Sequence, residues 1–276
     1  MWYMSHTIGL LTVVYQNYDV LQDLLNSLSK QTDTDYHLYI ADLSAKRQQI
    51  DGKNIPVTVI ESENKGYAHG VNVAMEKAMS DDITSYCILN DDTYFEKDFV
   101  SHVKMSMRTH RGAIIGGKIY YAPGYEYHKD RYTKKDRGRV LWYAGGITDW
   151  NHVITRHIGV DEVDTGQFDT LTETDFITGC LMCYDREVAD KIGLWSTEYF
   201  MYYEDADLCE RAHRAGVKLL YDPSIVIWHK SGQSTEGSGS KLQYTFQTRN
   251  RLRFGLKYAP IRTKLHLLKN HFLGTK

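Results

Sequence analysis

No stretch of this 276-residue chain stays apolar for the roughly 20 residues needed to span a bilayer, so no transmembrane helix is expected. The first residues have no basic segment leading into a long apolar run, so no signal peptide is expected either. Cysteine is scarce. Cys87, Cys180, Cys183 and Cys209 are too few for the disulfide framework of a secreted scaffold. Cys180 and Cys183 have CxxC spacing, but they sit in an apolar strand-like run without a second pair, which argues against zinc. Reduced thiols in the cytoplasm are the expectation. No G-x-G-x-x-G follows the first predicted strand, so a dinucleotide fold has no direct support. No internal repeat and no low-complexity linker divides the chain. Acidic residues are absent from Gly237 to the C-terminus.

What remains is ordinary soluble-protein composition, 42% hydrophobic and 25% charged, in a chain long enough for one large α/β unit. The 21 tyrosines suit either contact with sugars or amphipathic packing. The net charge of −2 conceals an asymmetry. Lys241, Arg249, Arg251, Arg253, Lys257, Arg262, Lys264, Lys269 and Lys276 give the end of the chain a basic character. That segment suits docking on anionic lipid, a nucleic acid or a diphosphate, or simply a solvated helix face.

Apolar runs alternate with helical spacing. Residues 7–15 read as a buried strand, 18–30 as a helix through Val20, Leu21, Leu24, Leu25 and Leu28, and 36–43 as a strand ending on Asp42. Residues 57–60 form a third strand, 67–79 a helix reached through Asn64-Lys65-Gly66, and 85–89 a fourth strand. Such alternation predicts a largely parallel sheet covered by helices. Residues 125–139 are polar and predict a loop or lid, followed by short β pieces near 139–147 and 152–158. A strand is expected over 174–184, a helix over 205–215 stopped by Gly216, and two short strands over 218–221 and 225–228. From Lys241 to Pro260 a further helix is expected.

Two acid clusters carry the chemistry. Asn90-Asp91-Asp92 follows the fourth strand, and ligands of open parallel sheets settle at carboxyl ends of strands. Asp91 and Asp92 suit Mg²⁺ or Mn²⁺, hard ions that complete their shell with phosphate oxygens and water. Acid pairs also occur as plain turns. Glu204-Asp205 lies at a helix start, where carboxylates are favoured electrostatically. The preceding Phe200, Met201, Tyr202 and Tyr203 would raise a carboxylate's proton affinity and suit it to general-base work. His229 ends an apolar run where an imidazole could complete a metal shell or simply be structural. Asp42 suits hydrogen bonds to a base or ribose, or a turn, and Arg249 a phosphate contact. One base beside one metal-diphosphate site points to sugar transfer from a nucleotide-sugar. A glycosidase would need a second, protonated carboxyl.

In series these residues resemble the family 2 glycosyltransferases of the GT-A fold, especially rhamnosyltransferase-like members. Thr12 to Asn17 is similar to the opening strand and loop, and Ala41-Asp42-Leu43-Ser44 to the nucleoside loop. Asn64 to Asn72 resembles the Asn-x-Gly start of the next helix, and Leu89 to Thr93 the metal motif. Thr178-Gly179-Cys180, Ile192 to Trp195 and Tyr203 to Leu208 resemble the acceptor side. His229 with Ser231 and Ser234, then Thr248-Arg249-Asn250, complete the order. Asp91 stands where many relatives carry Pro, and Leu43 where Asn is usual.

The resemblance implies a GT-A domain over 1–240, with a nucleotide-sugar half of about 1–120 and an acceptor half of about 121–240. A basic helical extension follows over 241–276. It implies inverting transfer with Asp205 as base, Asp92 (with Asp91) and His229 on Mn²⁺ or Mg²⁺, and Val14, Asp42, Asn64, Gly66, Asn90, Asp91 and Arg249 on the nucleotide-sugar. Trp195, Tyr203 and Glu204 would meet the acceptor. The expected donor is dTDP-rhamnose, then a UDP-hexose or UDP-galactofuranose. The expected acceptor is a bacterial surface glycan, free or lipid-linked, on the inner face of the membrane, with no nucleic acid partner. A non-catalytic nucleotide-sugar-binding module and a nucleotide-sugar hydrolase are the alternatives.

Overall fold

The computed structural model describes residues 7–52, 54–232 and 241–273; Ser234 and Lys276 lie outside them. In chain order the elements are β1 (Ile8–Val14), α1 (Tyr18–Leu28), β2 (Tyr36–Asp42), β3 (Val57–Glu61), α2 (Tyr67–Ser80), β4 (Ser85–Leu89), β5 (Thr93–Tyr94) and α3 (Phe99–Thr109). There follow β6 (Ile114–Tyr121), β7 (Leu141–Tyr143), β8 (Gly146–Asp149), β9 (Ile154–His157), β10 (Thr172–Glu173), β11 (Leu181–Asp185) and α4 (Arg186–Ile192). The chain continues with α5 (Glu204–Arg214), β12 (Leu219–His229), α6 (Lys241–Tyr258) and α7 (Ile261–Leu273).

The main sheet runs β10-β12-β6-β11-β4-β1-β2-β3, with β5 on β12 and β7 on β6. β1, β2, β3 and β4 are parallel, as are β6 and β12. β1 is buried along its whole length, as a strand covered on both faces should be. The fold is therefore the expected α/β arrangement, a mostly parallel sheet flanked by helices.

β5, β7, β10 and β11 pair antiparallel, and β11 is the one that shapes the site. β11 lies antiparallel between β4 and β6, with Leu181 opposite Leu89 and Asp185 opposite Ser85. Its beginning therefore meets the carboxyl end of β4. The same edge holds the ends of β1 at Val14, β2 at Asp42 and β12 at His229, which is opposite Tyr121 of β6. That shared edge positions the site.

Several expectations are corrected. The predicted strand over 174–184 is only β11, because residues 175–180 leave the ladder to cross the sheet edge. The two short strands around Asp222-Pro223 are one strand, β12, whose register against β6 shifts between Asp222 and Val226. A proline at such an irregularity costs no ladder bond. Gly117 of β6 receives the kink, since a Cβ there would overlap the Ile225 carbonyl. α3 and β6 are additions to the expected elements, although Phe99, Val100, Val103 and Met107 of α3 are buried at helical spacing.

The basic C-terminal segment is folded onto the rest. Pro260 separates α6 from α7, and Gly255 allows their close approach, because a Cβ there would overlap Leu267. Phe254 is buried and packs against Trp150, Tyr203 and Tyr258 with ring centroids 5.5, 5.4 and 5.1 Å away. Asp207 of α5 is fully buried and accepts from Arg211 Nε, Lys257 Nζ and Tyr258 Oη, each at 2.8 Å. Arg251 donates to the His152 carbonyl at 2.7 Å, and Arg253 to the Glu198 carbonyl. Arg251, Arg253 and Lys257 thus tie the tail to the main fold. Truncating Phe254→Ala is expected to lower unfolding free energy by about 3–5 kcal/mol in denaturant titration, the range for deleting a buried aromatic ring.

Candidate active site

The nucleotide side begins at the ends of β1 and β2. Val14 is buried, and its contribution is the carbonyl that accepts from Leu43 N at 2.9 Å. Asp42 is also buried, accepting from Tyr18 Oη at 2.7 Å and Ser44 N at 2.9 Å. Ser44 Oγ accepts in turn from Gln16 N. Asp42 therefore ties β1, α1 and the 43–47 loop together, and Tyr18 is a partner that the sequence pattern does not single out. Asn64 is exposed, its Oδ1 accepting from Gly66 N at 3.1 Å.

Gly66 has φ 102°, and a Cβ there would collide with the Phe200 carbonyl, which accepts from Tyr67 N at 2.9 Å. Only glycine permits both the backbone angle and the approach. The start of α2 is thereby pinned to the loop before α5.

Asn90, Asp91 and Asp92 leave β4 at the sheet edge. Asp91 and Asp92 are buried. Burial first, and the Asp92 charge second, push the proton affinity of Asp91 well above the ordinary carboxylate range. His229 Nε2 lies 3.1 Å from Asp92 Oδ1, an ion-pair distance outside hydrogen-bond geometry. Asp92 Oδ1 and His229 Nδ1 are buried without hydrogen-bond partners. Burial opposes a charge on His229, but Asp92 and then Cys180 outweigh it and raise its proton affinity well above normal.

A divalent cation fits this chemistry: buried, under-neutralised carboxylate beside an imidazole. Among the described residues no three His, Cys, Asp or Glu side chains converge as a ready-made cage. The protein would contribute few ligands and leave the rest to phosphate and water, as Mg²⁺-type sites do.

On the opposite side, the antiparallel course of β11 brings Gly179 and Cys180 to the same edge. Cys180 O accepts from Asn90 N at 3.2 Å, and Gly179 N donates to Asp205 Oδ2 at 3.1 Å. Asp205 Oδ1 takes Ala206 N at 2.8 Å. Burial raises the Asp205 proton affinity, restrained by these backbone donors. Glu204 is buried with Oε2 unpartnered, and burial followed by the Asp205 charge raises its proton affinity strongly.

The turn ahead of them is strained: Tyr202 and Tyr203 have φ 66° and 74° in succession. Such left-handed residues other than glycine cost on the order of 1–3 kcal/mol each and gather at functional sites. Asn250 of α6 donates to the carbonyls of Met201 and Tyr202 at 2.8 and 3.0 Å.

Tyr67 lies between the two acid groups. Its hydroxyl is 3.1 Å from Asn90 Oδ1 and 2.9 Å from the Gly179 carbonyl. Burial, then the charges of Cys180, Glu204, Asp205 and Asp91, hold it protonated. That one phenol feels Asp91, Glu204 and Asp205 together marks the convergence of the two clusters. No periodicity in the sequence distinguishes Tyr67 from a core tyrosine.

Other predicted residues fall differently. Trp195 does not face the cleft. It is buried, donates Nε1 to Tyr184 Oη at 2.9 Å, and backs Gly179 and Tyr67 from behind. Its backbone exchanges hydrogen bonds of 2.8 and 2.9 Å with Asn72 of α2. The Tyr203 hydroxyl is committed to the Val153 carbonyl at 2.9 Å, which leaves its partly exposed ring for any acceptor. Arg249 is exposed on α6 beside the buried Asn250. Trp142 and His157 join the site without a signal in the sequence. The Trp142 ring lies edge-on between His157 and His229, at 4.4 and 4.5 Å. Burial pushes the His157 pKa down to about 4, so it is neutral near pH 7, its Nδ1–H donating to the Trp142 carbonyl. All four cysteines are free and buried.

The chain is 21% identical over 243 residues to the low-salt glycan biosynthesis hexosyltransferase Agl10 of Haloferax volcanii, covering 87% of this chain and 74% of that one. Among solved structures, GalNAc-T7 with UDP, GalNAc and Mn²⁺ superposes with TM-score 0.62 at 15% identity, covering 81% of this chain and 43% of that chain. The mannosyltransferase PcManGT of Pyrobaculum calidifontis, in complex with GDP-Man and Mn²⁺, gives 0.52 at 15% identity, with 97% and 70% covered. TarS of S. aureus gives 0.55 at 15%, with 96% and 43% covered. The chain thus spans less than half the length of GalNAc-T7 and TarS, and likeness at this identity speaks for the fold. The model of Glycosyl transferase family 2 matches residues 10–193. That range takes in Asp42, Asp91, Asp92 and the Gly179 turn but stops short of Asp205 and His229, and on its strength the chain belongs to glycosyl transferase family 2, a glycosyltransferase of the GT-A fold.

Proposed function

We propose that the protein transfers a sugar from a nucleotide-sugar to a hydroxyl of a glycan or lipid-linked glycan, with inversion, using a divalent metal. The observation that carries this reading is the pairing of two unlike carboxylate groups at one sheet edge. Asp92 Oδ1 is buried and orphaned beside His229, whereas Asp205 is fixed by the Gly179 N–H. The first suits a cation and the second a base.

Residues 1–120 form the donor half and 121–240 the acceptor half in this reading. Asp42 keeps unfilled acceptor capacity at the floor of the nucleoside site, next to the Val14 backbone, with Asn64, Gly66 and Asn90 beside the diphosphate and Arg249 reaching it from α6. Asp92 and His229, with Asp91 adjacent, would hold Mn²⁺ or Mg²⁺, which would supply charge compensation for the leaving diphosphate. Asp205 takes the proton from the acceptor hydroxyl as that oxygen bonds to the anomeric carbon. The bond from that carbon to the diphosphate breaks, and nucleoside diphosphate leaves. Glu204 and Tyr203 border the acceptor, while Trp195 supports the wall behind. The raised proton affinity of Asp205 suits it to the task.

The donor is a nucleotide-activated hexose or deoxyhexose. dTDP-rhamnose follows from the family resemblance, and UDP-hexoses follow it together with UDP-galactofuranose. The hexosyltransferase relative favours keeping hexoses in the comparison.

Nucleoside diphosphate release should be measured over dTDP-, UDP- and GDP-sugars with Mn²⁺ or Mg²⁺. One donor is expected to turn over, with the rate abolished by EDTA and by Asp92→Asn. Asp205→Asn should retain donor binding and lose transfer by about 10²–10⁴-fold, the usual contribution of a positioned base. Full activity in that variant, or a product of retained configuration, would remove Asp205 and the direct displacement. Free sugar as the sole product with an acceptor present would identify a hydrolase.

The acceptor side also bears on location. No helix among the described residues is long and apolar enough to cross a membrane. Leu242, Tyr244, Ile261 and Leu265 are exposed on α6 and α7 together with Arg249, Arg262 and Lys269. This mixture suits peripheral contact with an anionic inner-membrane face. The protein should sediment with phosphatidylglycerol vesicles at low salt, less so at about 1 M salt as charges are screened, and not with neutral phosphatidylcholine vesicles. Equal behaviour with both lipids would eliminate the contact.

A further inference from the structure

We infer that Asn250 is a positioning residue for the base: its side-chain amide clamps the left-handed turn that presents Glu204 and Asp205. The inference deepens the reading of Asp205 as base and rests on it.

The turn is strained. Tyr202 and Tyr203 occupy the left-handed region in succession, and Tyr203, the residue capping α5, makes no side-chain capping bond. Neither residue is glycine, so the conformation persists only where surroundings over-determine it. Asn250 supplies that constraint. It is 1% exposed, and one amide nitrogen gives its hydrogens to two consecutive carbonyls, Met201 and Tyr202. With the clamp in place the next residues enter α5 directed so that Asp205 meets Gly179 N.

The helix carrying Asn250 is itself fixed to both sides of that turn. Arg253 holds the Glu198 carbonyl ahead of it, and Phe246 stacks on Phe200 at 5.2 Å. Behind it, Lys257 and Tyr258 hold Asp207 in the first turns of α5. α6 is thus a strut between the loop and the helix that flank the base. The Asn250 amide donates to main-chain carbonyls, and its effect on the two carboxylates passes through the backbone.

The test uses the whole protein with Asn250→Asp, which keeps the shape but replaces the donating nitrogen with an acceptor, and Asn250→Ala. Met107→Ala, in α3, serves as a destabilised control remote from the site. Hydrogen exchange at amides 201–206 should be faster in both Asn250 variants and unchanged in the control. Turnover of the donor selected by the panel should fall about 100-fold in kcat, the scale of a misplaced catalytic group, with donor KM within about twofold of the parent. Adding Tyr202→Gly to Asn250→Ala should restore much of the lost kcat, because glycine adopts the left-handed angle without strain.

Unchanged exchange at 201–206 would overturn the clamp. Faster exchange with unaltered kcat would overturn the positioning role, as would an equal kcat loss in Met107→Ala. Asp205→Asn, run in parallel, separates the two ideas. Full turnover there removes the base assignment, while the exchange data still judge the clamp.

Discussion

The placement of Leu181 opposite Leu89 is the constraint on which the rest of the site depends. Because β11 runs against its neighbours, its first residue, not its last, meets the edge where β4 ends. The residues before it, Gly179 and Cys180, are delivered to Asn90 and Asp205 by backbone hydrogen bonds. A parallel β11 would put that turn at the far edge of the sheet, and the two acid groups would never meet. One strand direction, seen in the antiparallel pairing of β11 with both β4 and β6, thus brings together chemistry from residues 90–92 and 204–205.

The site so assembled is electrostatically unfinished. Asp91 and Glu204 are buried with raised proton affinities, and Asp92, Glu204 and His229 each keep a polar atom without a hydrogen-bond partner. Buried polar atoms of this kind are rare in native proteins, and each calls for an explanation such as a bound ion or a catalytic role. Folding leaves the compensation to what binds. The surrounding scaffold is correspondingly rigid, from Gly66 against the Phe200 carbonyl to the Asn72–Trp195 exchange and the Asp207 network. The protein holds a strained turn and unpartnered polar atoms in one place because its neighbours are over-determined.

The C-terminal segment shows how charge alone misleads. Its run of cations suits docking on an outside anion or a solvated helix face, yet Arg251, Arg253 and Lys257 are each engaged by a carbonyl or a carboxylate of the main fold. Among the described residues Lys241, Arg249, Arg262 and Lys269 stay exposed. Trp195 is a similar case. An aromatic near an acceptor motif suggests stacking on sugar, but its ring is enclosed and its indole N–H satisfied by Tyr184.

By itself the sequence determined the elements with strong local periodicity and the identity of the acids. β1, α1, β2, α2 and β4 fall where apolar spacing puts them, because strand and helix side chains repeat with periods of about 2 and 3.6 residues. Asp42, Asp91, Asp92, Glu204 and Asp205 could be singled out because acids at strand ends and a helix start are chemically conspicuous. The sequence could not decide which groups meet. The direction of β11, the single course of β12 through its bulge, and the docking of α6 are contacts between residues far apart in the chain, and local patterns carry no record of them. Tyr18 and His157 read as ordinary core residues until the fold places them, and Tyr67 and Asn250 fall within motif segments that do not show what they touch. Their roles come from position, and tertiary packing alone supplies that.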